Sequence, residues 1–191
     1  MITLASPLQP DSIVDGEGIR TVIWTQGCEH HCPGCHNQIT WDFNQGQKFK
    51  IEEINKQLDK LEGQTGITFS GGDPLYQVKA CTQIAKHAKK IGLNVWCYTG
   101  FIYENLLKDS KNIEFLKYVD VLVDGPFILK ERTLNYDFRG SKNQRIIDVQ
   151  KSLKQNKTVL VSKYISERKV TNTIEKPKYI YIWGSNWTFF F

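Results

Sequence analysis

The sequence lacks the marks of a membrane protein and of a dedicated nucleic-acid binder. No run approaches the roughly 18 apolar residues that a membrane-spanning helix requires. The opening "MITLASPLQPDSIVDGEG" has no basic segment followed by an apolar core, so no signal peptide is expected. Lysines give the chain a net charge of +5, but they are spread out, with no compact basic block of the kind a nucleic-acid footprint needs. Internal repeats and low-complexity linkers are absent as well. The clustered cysteines also lack an even count: of five in the chain, three fall within "GCEHHCPGCHN", Gly27 to Asn37. A cytoplasmic, reducing location is therefore expected, where clustered cysteines more often bind metal than pair as disulfides.

What is present suits a folded domain. The chain has 191 residues, 40% of them hydrophobic and 24% charged, enough to build a substantial core. "RTVIWTQG" (20–27), "GITFSGGDPL" (66–75), "LNVWCYTG" (93–100) and "VDVLVDG" (119–125) read as four strands, rich in β-branched and aromatic residues and closed by glycine-containing turns. Between them, "IEEINKQLDKL" places Ile51, Ile54, Leu58 and Leu61 on one helical face. In the next helix Val78, Cys81, Ala85, Ala88 and Ile91 form an apolar stripe, with Gly92 at the helix end. "ENLLKD" and "NIEFLKY" read as short helical pieces. Strand–helix alternation predicts an α/β fold with a mainly parallel sheet. Near the C-terminus, "KYIYIW" (178–183) reads either as an extra strand or as an interaction tail.

Cys28, Cys32 and Cys35 have the spacing CxxxCxxC in the loop after the first of these strands. One reading is structural zinc, with His30, His31 or His36 as a fourth ligand, although such sites usually bring a second ligand pair from a distant segment. Cys81 and Cys97 are single and fit apolar patterns. The other reading is an iron–sulfur cluster, which takes thiolate ligands and usually four of them. Three thiolates leave one iron without a protein ligand, and an open position is the general mark of a metal site that engages substrate.

CxxxCxxC after the first strand, with "SGGDP" (Ser70–Pro74) after the second, resembles the radical S-adenosylmethionine superfamily. Four blocks resemble its branch that activates anaerobic ribonucleoside-triphosphate reductases: "DGEGIRTVIWTQGCEHHCPGCHNQITW", "ITFSGGDPL", "VDVLVDGPF" and "RGSKNQRIID". Glu17 departs from the "DGPG" usual there, in a lead-in turn.

The resemblance implies a partial, open (β/α)6-type barrel over residues 1–155, followed by an extension over 156–191. The length agrees with a reduced barrel, since a full one typically needs roughly 250 residues. It further implies one 4Fe-4S cluster per chain held by Cys28, Cys32 and Cys35, with S-adenosylmethionine chelated at the open iron. Gly34, Cys35 and His36 would border that molecule, while Ser70, Gly71, Gly72 and Asp73 would receive its methionyl end. No catalytic residue is implied beyond cluster and cofactor. Asp124 has two even readings, a further contact or a turn residue, and Arg139 or Arg145 is expected to pair a carboxylate.

The activity implied is reductive cleavage of S-adenosylmethionine, the resulting 5′-deoxyadenosyl radical making a glycyl radical near the C-terminus of the reductase's large subunit. Electrons would come from an outside donor such as flavodoxin. A homodimer, or a heterotetramer with the reductase, is compatible with this reading. Two relatives compete within the superfamily. Formate-lyase-type activases often carry a further cysteine-rich insertion, absent here. A deazapurine-forming synthase shares "GEG" but has Asp-Thr after the third cysteine, where this chain has His36-Asn37. A zinc-binding interaction module is the alternative outside the enzymes.

Overall fold

The computed structural model describes residues 1–167. Eight strands form one sheet: β1 (Ile2–Leu4), β2 (Gln9–Ser12), β3 (Arg20–Thr25), β4 (Gln47–Phe49), β5 (Gly66–Gly71), β6 (Asn94–Tyr98), β7 (Val121–Asp124) and β8 (Arg145–Asp148). Their order is β4-β1-β3-β5-β6-β7-β8, with β2 paired to β3 beside that path. The centre, β3-β5-β6-β7, is parallel and contains the four expected strands. The expectation of a mainly parallel sheet needs correction, however, because β1, β2, β4 and β8 all pair antiparallel. These flanking strands are three or four residues long, such as "QPDS" and "QKF", too short to show a period. The result is a mixed α/β architecture with an open sheet.

Alternation along the parallel strands separates two environments. Ile23, Ile67, Phe69, Val95 and Cys97 point to one face and are fully buried beneath helices α1 (Ile51–Leu58), α2 (Val78–Lys90) and α4 (Ser110–Leu116). Helices α3 (Tyr103–Leu106) and α5 (Val149–Gln155) are short and follow β6 and β8. In α2 the buried stripe is Cys81, Ile84, Ala85 and Ala88. Ile91, expected in that stripe, lies past the last helical residue and is 39% exposed. Gly92 adopts φ +84°, the left-handed conformation that ends a helix at low cost.

The opposite face carries Arg20, Thr68, Trp96 and Tyr98. The Arg20 guanidinium is buried at one end of this face. Its Nε donates to Thr68 Oγ1 at 2.7 Å and its Nη2 to the Ile67 carbonyl at 2.6 Å, and it lies over the Trp96 ring. Burial lowers its pKa to about 10, so it stays charged and works by satisfying backbone carbonyls.

The chain past α5 returns to this face. Asp148 N–H donates to the Val159 carbonyl and Val161 N–H to the Ile146 carbonyl, both at 2.9 Å. Tyr164 is buried against Trp96 and Phe138. Residues 159–164 thus pack against the sheet. The "KYIYIW" segment lies outside the described residues. Among the described residues, no helix is long and apolar enough to cross a membrane.

Candidate metal centre and substrate cavity

The cysteine loop begins where β3 ends and folds back on itself. Gly27 N–H donates to the Thr40 carbonyl at 2.7 Å and Cys28 N–H to the Trp41 carbonyl at 3.0 Å. Beneath this, the buried Gln26 amide donates to the Asp42 carbonyl at 2.7 Å. Gly34 has φ +75°, which suits the turn between Cys32 and Cys35, and Cys35 N–H closes that turn onto the Cys32 carbonyl at 3.0 Å. The three thiols line one wall of a cavity of about 120 Å³.

The facing wall comes from the end of β5. Ser70, Gly71 and Gly72 line the same cavity. Both glycines are required by contact between backbones. A Cβ on Gly71, at φ +104°, would lie 2.4 Å from the Thr25 carbonyl oxygen. One on Gly72 would lie 2.4 Å from the Gly27 carbonyl oxygen. Asp73 N–H in turn donates to that Gly27 carbonyl at 2.9 Å, so the turn and the cysteine loop are bonded directly.

Not every expected site residue meets at this cavity. Asp73 is 1% exposed and is not among the residues lining it; its carboxylate accepts from Leu75 N–H, Thr99 Oγ1, Gly100 N–H and His30. A carboxylate so surrounded is a structural hub, which leaves the turn's backbone to face the cavity. Gly34 packs against Leu129. His36 faces Phe127 and lines a second, larger cavity of about 520 Å³. That cavity also has Tyr98, Arg132, Tyr136 and Arg139 on its walls and adjoins the first through Tyr98, which lines both.

Asp124 is buried at the end of β7. It accepts from Tyr103 N–H at 2.8 Å and from the Arg145 guanidinium, which also forks onto Glu104. Arg145 is therefore the arginine that pairs a carboxylate, whereas Arg139 donates to the Gln144 and Tyr164 carbonyls and stacks on Tyr136. Glu17 in the lead-in turn accepts from Tyr164 Oη at 2.6 Å and Lys163 Nζ at 2.5 Å.

Sequence reasoning missed His30, Tyr98, Thr99 and Gly100 as part of the site. Tyr98 ends β6 and Thr99 and Gly100 follow it, where sites in parallel α/β folds gather, and that rule alone flags them. His30 enters the sequence reading only as a possible fourth zinc ligand.

The donor set, three thiols in one loop, suits a cluster, which takes thiolate ligands. Asn37 N–H donates to Cys35 Sγ at 3.4 Å, and the backbone N–H groups of His30 and Phe127 lie near Cys28 and Cys32, as around the sulfurs of iron–sulfur centres. Burial pushes the free Cys28 thiol up to about 11 and raises Cys32 as well, so metal uptake must displace protons.

Three cysteines after β3 share a cavity with the Gly71-Gly72 turn, the arrangement expected of a single-cluster iron–sulfur protein. A family model described as a 4Fe-4S single cluster domain matches residues 14–147. The anaerobic ribonucleoside-triphosphate reductase-activating proteins of Vibrio cholerae and Escherichia coli are 34% and 35% identical to this chain, over 72% and 71% of it and 92% of their own lengths. That of Enterobacteria phage T4 is 37% identical over 73% of this chain and 90% of its own. The chain belongs to the family of anaerobic ribonucleoside-triphosphate reductase-activating proteins. The solved structure of QueE from Escherichia coli is a slight likeness, with TM-score 0.40 and 16% identity over 52% of each chain, too slight to carry an argument.

Proposed function

We propose that this chain is a radical S-adenosylmethionine enzyme that installs a glycyl radical on an anaerobic ribonucleoside-triphosphate reductase. The observation that carries this reading is the shared cavity: three thiols on one wall and the Gly71-Gly72 turn on the other, in a member of this activating family. When bound, the cluster and S-adenosylmethionine supply a one-electron cleavage whose product abstracts hydrogen from the partner's glycine.

The chain's own residues hold and exclude. Cys28, Cys32 and Cys35 ligate the cluster. Ser70 and the backbone of Gly71 and Gly72 take the methionyl end, whose ammonium suits carbonyls held at a strand terminus. Gly34 and His36 border the loop toward the larger cavity, and His36 and Tyr98 mark the passage between the two spaces. The roughly 520 Å³ cavity receives the nucleoside end and the approaching glycine loop of the reductase. An open sheet, read as a reduced form of the partial (β/α)6 barrel, suits a substrate that is another protein's backbone. The working unit spans residues 1–155 together with the strap at 158–165, and electrons arrive from a flavodoxin-type donor.

The test is anaerobic reconstitution. About four irons per chain, release of 5′-deoxyadenosine on reduction and a glycyl doublet in electron paramagnetic resonance with the reductase are expected. A colourless zinc protein without cleavage overturns the proposal. A doublet with a formate-lyase-type enzyme but none with the reductase overturns the choice of partner.

A further inference from the structure

His30 sits midway between two of the three cysteines, and its side chain leaves the loop altogether. Its Nε2 lies 2.8 Å from Asp73 Oδ2, in the turn after β5. Asp73 also accepts from Thr99 Oγ1 at 2.8 Å and Gly100 N–H at 2.9 Å, both after β6. Three strand ends therefore meet on one buried carboxylate, and His30 is the cysteine loop's side-chain connection to it. The imidazole fits a shaped slot, edge-on to Phe101 at 4.6 Å and tilted against Tyr76 at 5.9 Å. The slot's floor is Gly100, where a Cβ would lie 2.5 Å from the His30 ring, so no other residue fits there while the ring keeps its place.

The same residue also reaches the metal side. The backbone N–H of His30 lies near the Cys28 sulfur. One residue thus sits beside a thiol and bonds the Gly71–Asp73 turn through its side chain. The contact requires a proton on Nε2, which makes that nitrogen unavailable as a metal ligand while it persists.

We propose that His30 is a positioning residue: it fixes the spacing between the cysteine loop and the turn at Gly71–Asp73, so that a cluster on one and the methionyl end of S-adenosylmethionine on the other are held in register. This rests on the function proposed above. A hydrogen bond to a carboxylate holds more strongly than one between neutral groups, and a rotated turn would misplace the backbone atoms that meet the ligand. Distances of this kind matter steeply, since misplacement by about 1 Å can cost on the order of 100-fold in rate.

The experiment compares wild type, His30→Ala and His30→Gln, each reconstituted anaerobically. Iron per chain, thermal midpoint, S-adenosylmethionine affinity and the resonance spectrum of the reduced protein with and without S-adenosylmethionine are measured. His30→Gln places an amide N–H where Nε2–H stood. Both variants are expected to bind as much iron as wild type. His30→Ala should bind S-adenosylmethionine about tenfold more weakly, as befits loss of one hydrogen bond to a charged group, and its spectrum should respond less to that molecule. His30→Gln should stay within about threefold of wild type, the scale of a weaker neutral donor. Unchanged affinity in His30→Ala, a Gln variant no better than Ala, or loss of iron in the Ala variant overturns the proposal. A wild type that takes up no iron and does not bind S-adenosylmethionine overturns the function itself, and this inference with it.

Discussion

Cys81, on α2, and Cys97, on β6, lie in the helix-covered core with 0% exposure, while Cys28, Cys32 and Cys35 follow the end of β3 around a cavity. Burial raises the thiol pKa of Cys28, Cys32, Cys81 and Cys97, and it raises Cys97 far more than Cys28, because Cys97 is completely enclosed in the core. The loop sulfurs instead meet backbone N–H groups and open space. The contrast shows that what distinguishes a ligand from a packing residue here is the backbone around the sulfur. The helix-covered side offers closed aliphatic contacts, and the strand ends offer donors and room.

The largest break in that contrast comes from Cys32→Ser. Iron content should fall to background and S-adenosylmethionine cleavage should vanish, while the apo protein's urea midpoint stays near that of wild type. Retained iron would show that the loop is not the metal site. Next comes Gly71→Ala. Its φ of +104° and the 2.4 Å approach to the Thr25 carbonyl oxygen force the turn away from the cysteine loop. Strain of this kind costs on the order of 1–3 kcal/mol, and S-adenosylmethionine binding should fall with it in calorimetry.

Cys97→Ser sharpens the comparison from the other side. The Cys97 sulfur contacts the Tyr98 carbonyl at 3.7 Å, so a hydroxyl in this buried place should lower stability by about 1 kcal/mol, with iron content unchanged. Loss of iron in this variant would contradict the packing role. The smallest effect belongs to Glu104, whose carboxyl the Arg145 hydrogen bonds hold down to about 2. Its folded-state pKa lies below the unfolded value of about 4.3. The stabilisation is therefore complete above about pH 5 and disappears as pH falls toward 2. Glu104→Gln should lower the unfolding free energy measured in urea at pH 7 by well under about 1 kcal/mol, because the side chain is half exposed and screened. Wild type and variant should converge near pH 2.

The central strands were legible because each carries enough β-branched and aromatic residues to show itself alone. The short flanking strands were not, since "ITL", "QPDS" and "QKF" gain strand geometry only from the neighbour they pair with. The ligand loop was legible in spacing, and the meeting of Cys28, Cys32, Cys35, Gly71 and Gly72 around one cavity follows from strands that run parallel and end together. The hydrogen-bond partners of the Asp73 carboxylate were not legible because a motif gives residue order and not side-chain direction. His30's pairing with Asp73 was hidden for the same reason. Its partner is 43 positions away, and nothing in "CEHHC" distinguishes it from His31, which stacks on Trp41 at the surface.

The bond from Tyr164 to Glu17 spans 147 positions of chain, and the Tyr164 carbonyl also anchors Arg139 on the wall of the larger cavity. Contacts this distant in sequence form late, because their loop-closure entropy is lost before they repay it. As the chain leaves the ribosome, the cysteine loop, the turn and the parallel strands can assemble while residue 164 is still unmade. The metal-binding half of the molecule thus gains its shape first in time, and the wall that would receive a partner is fastened last.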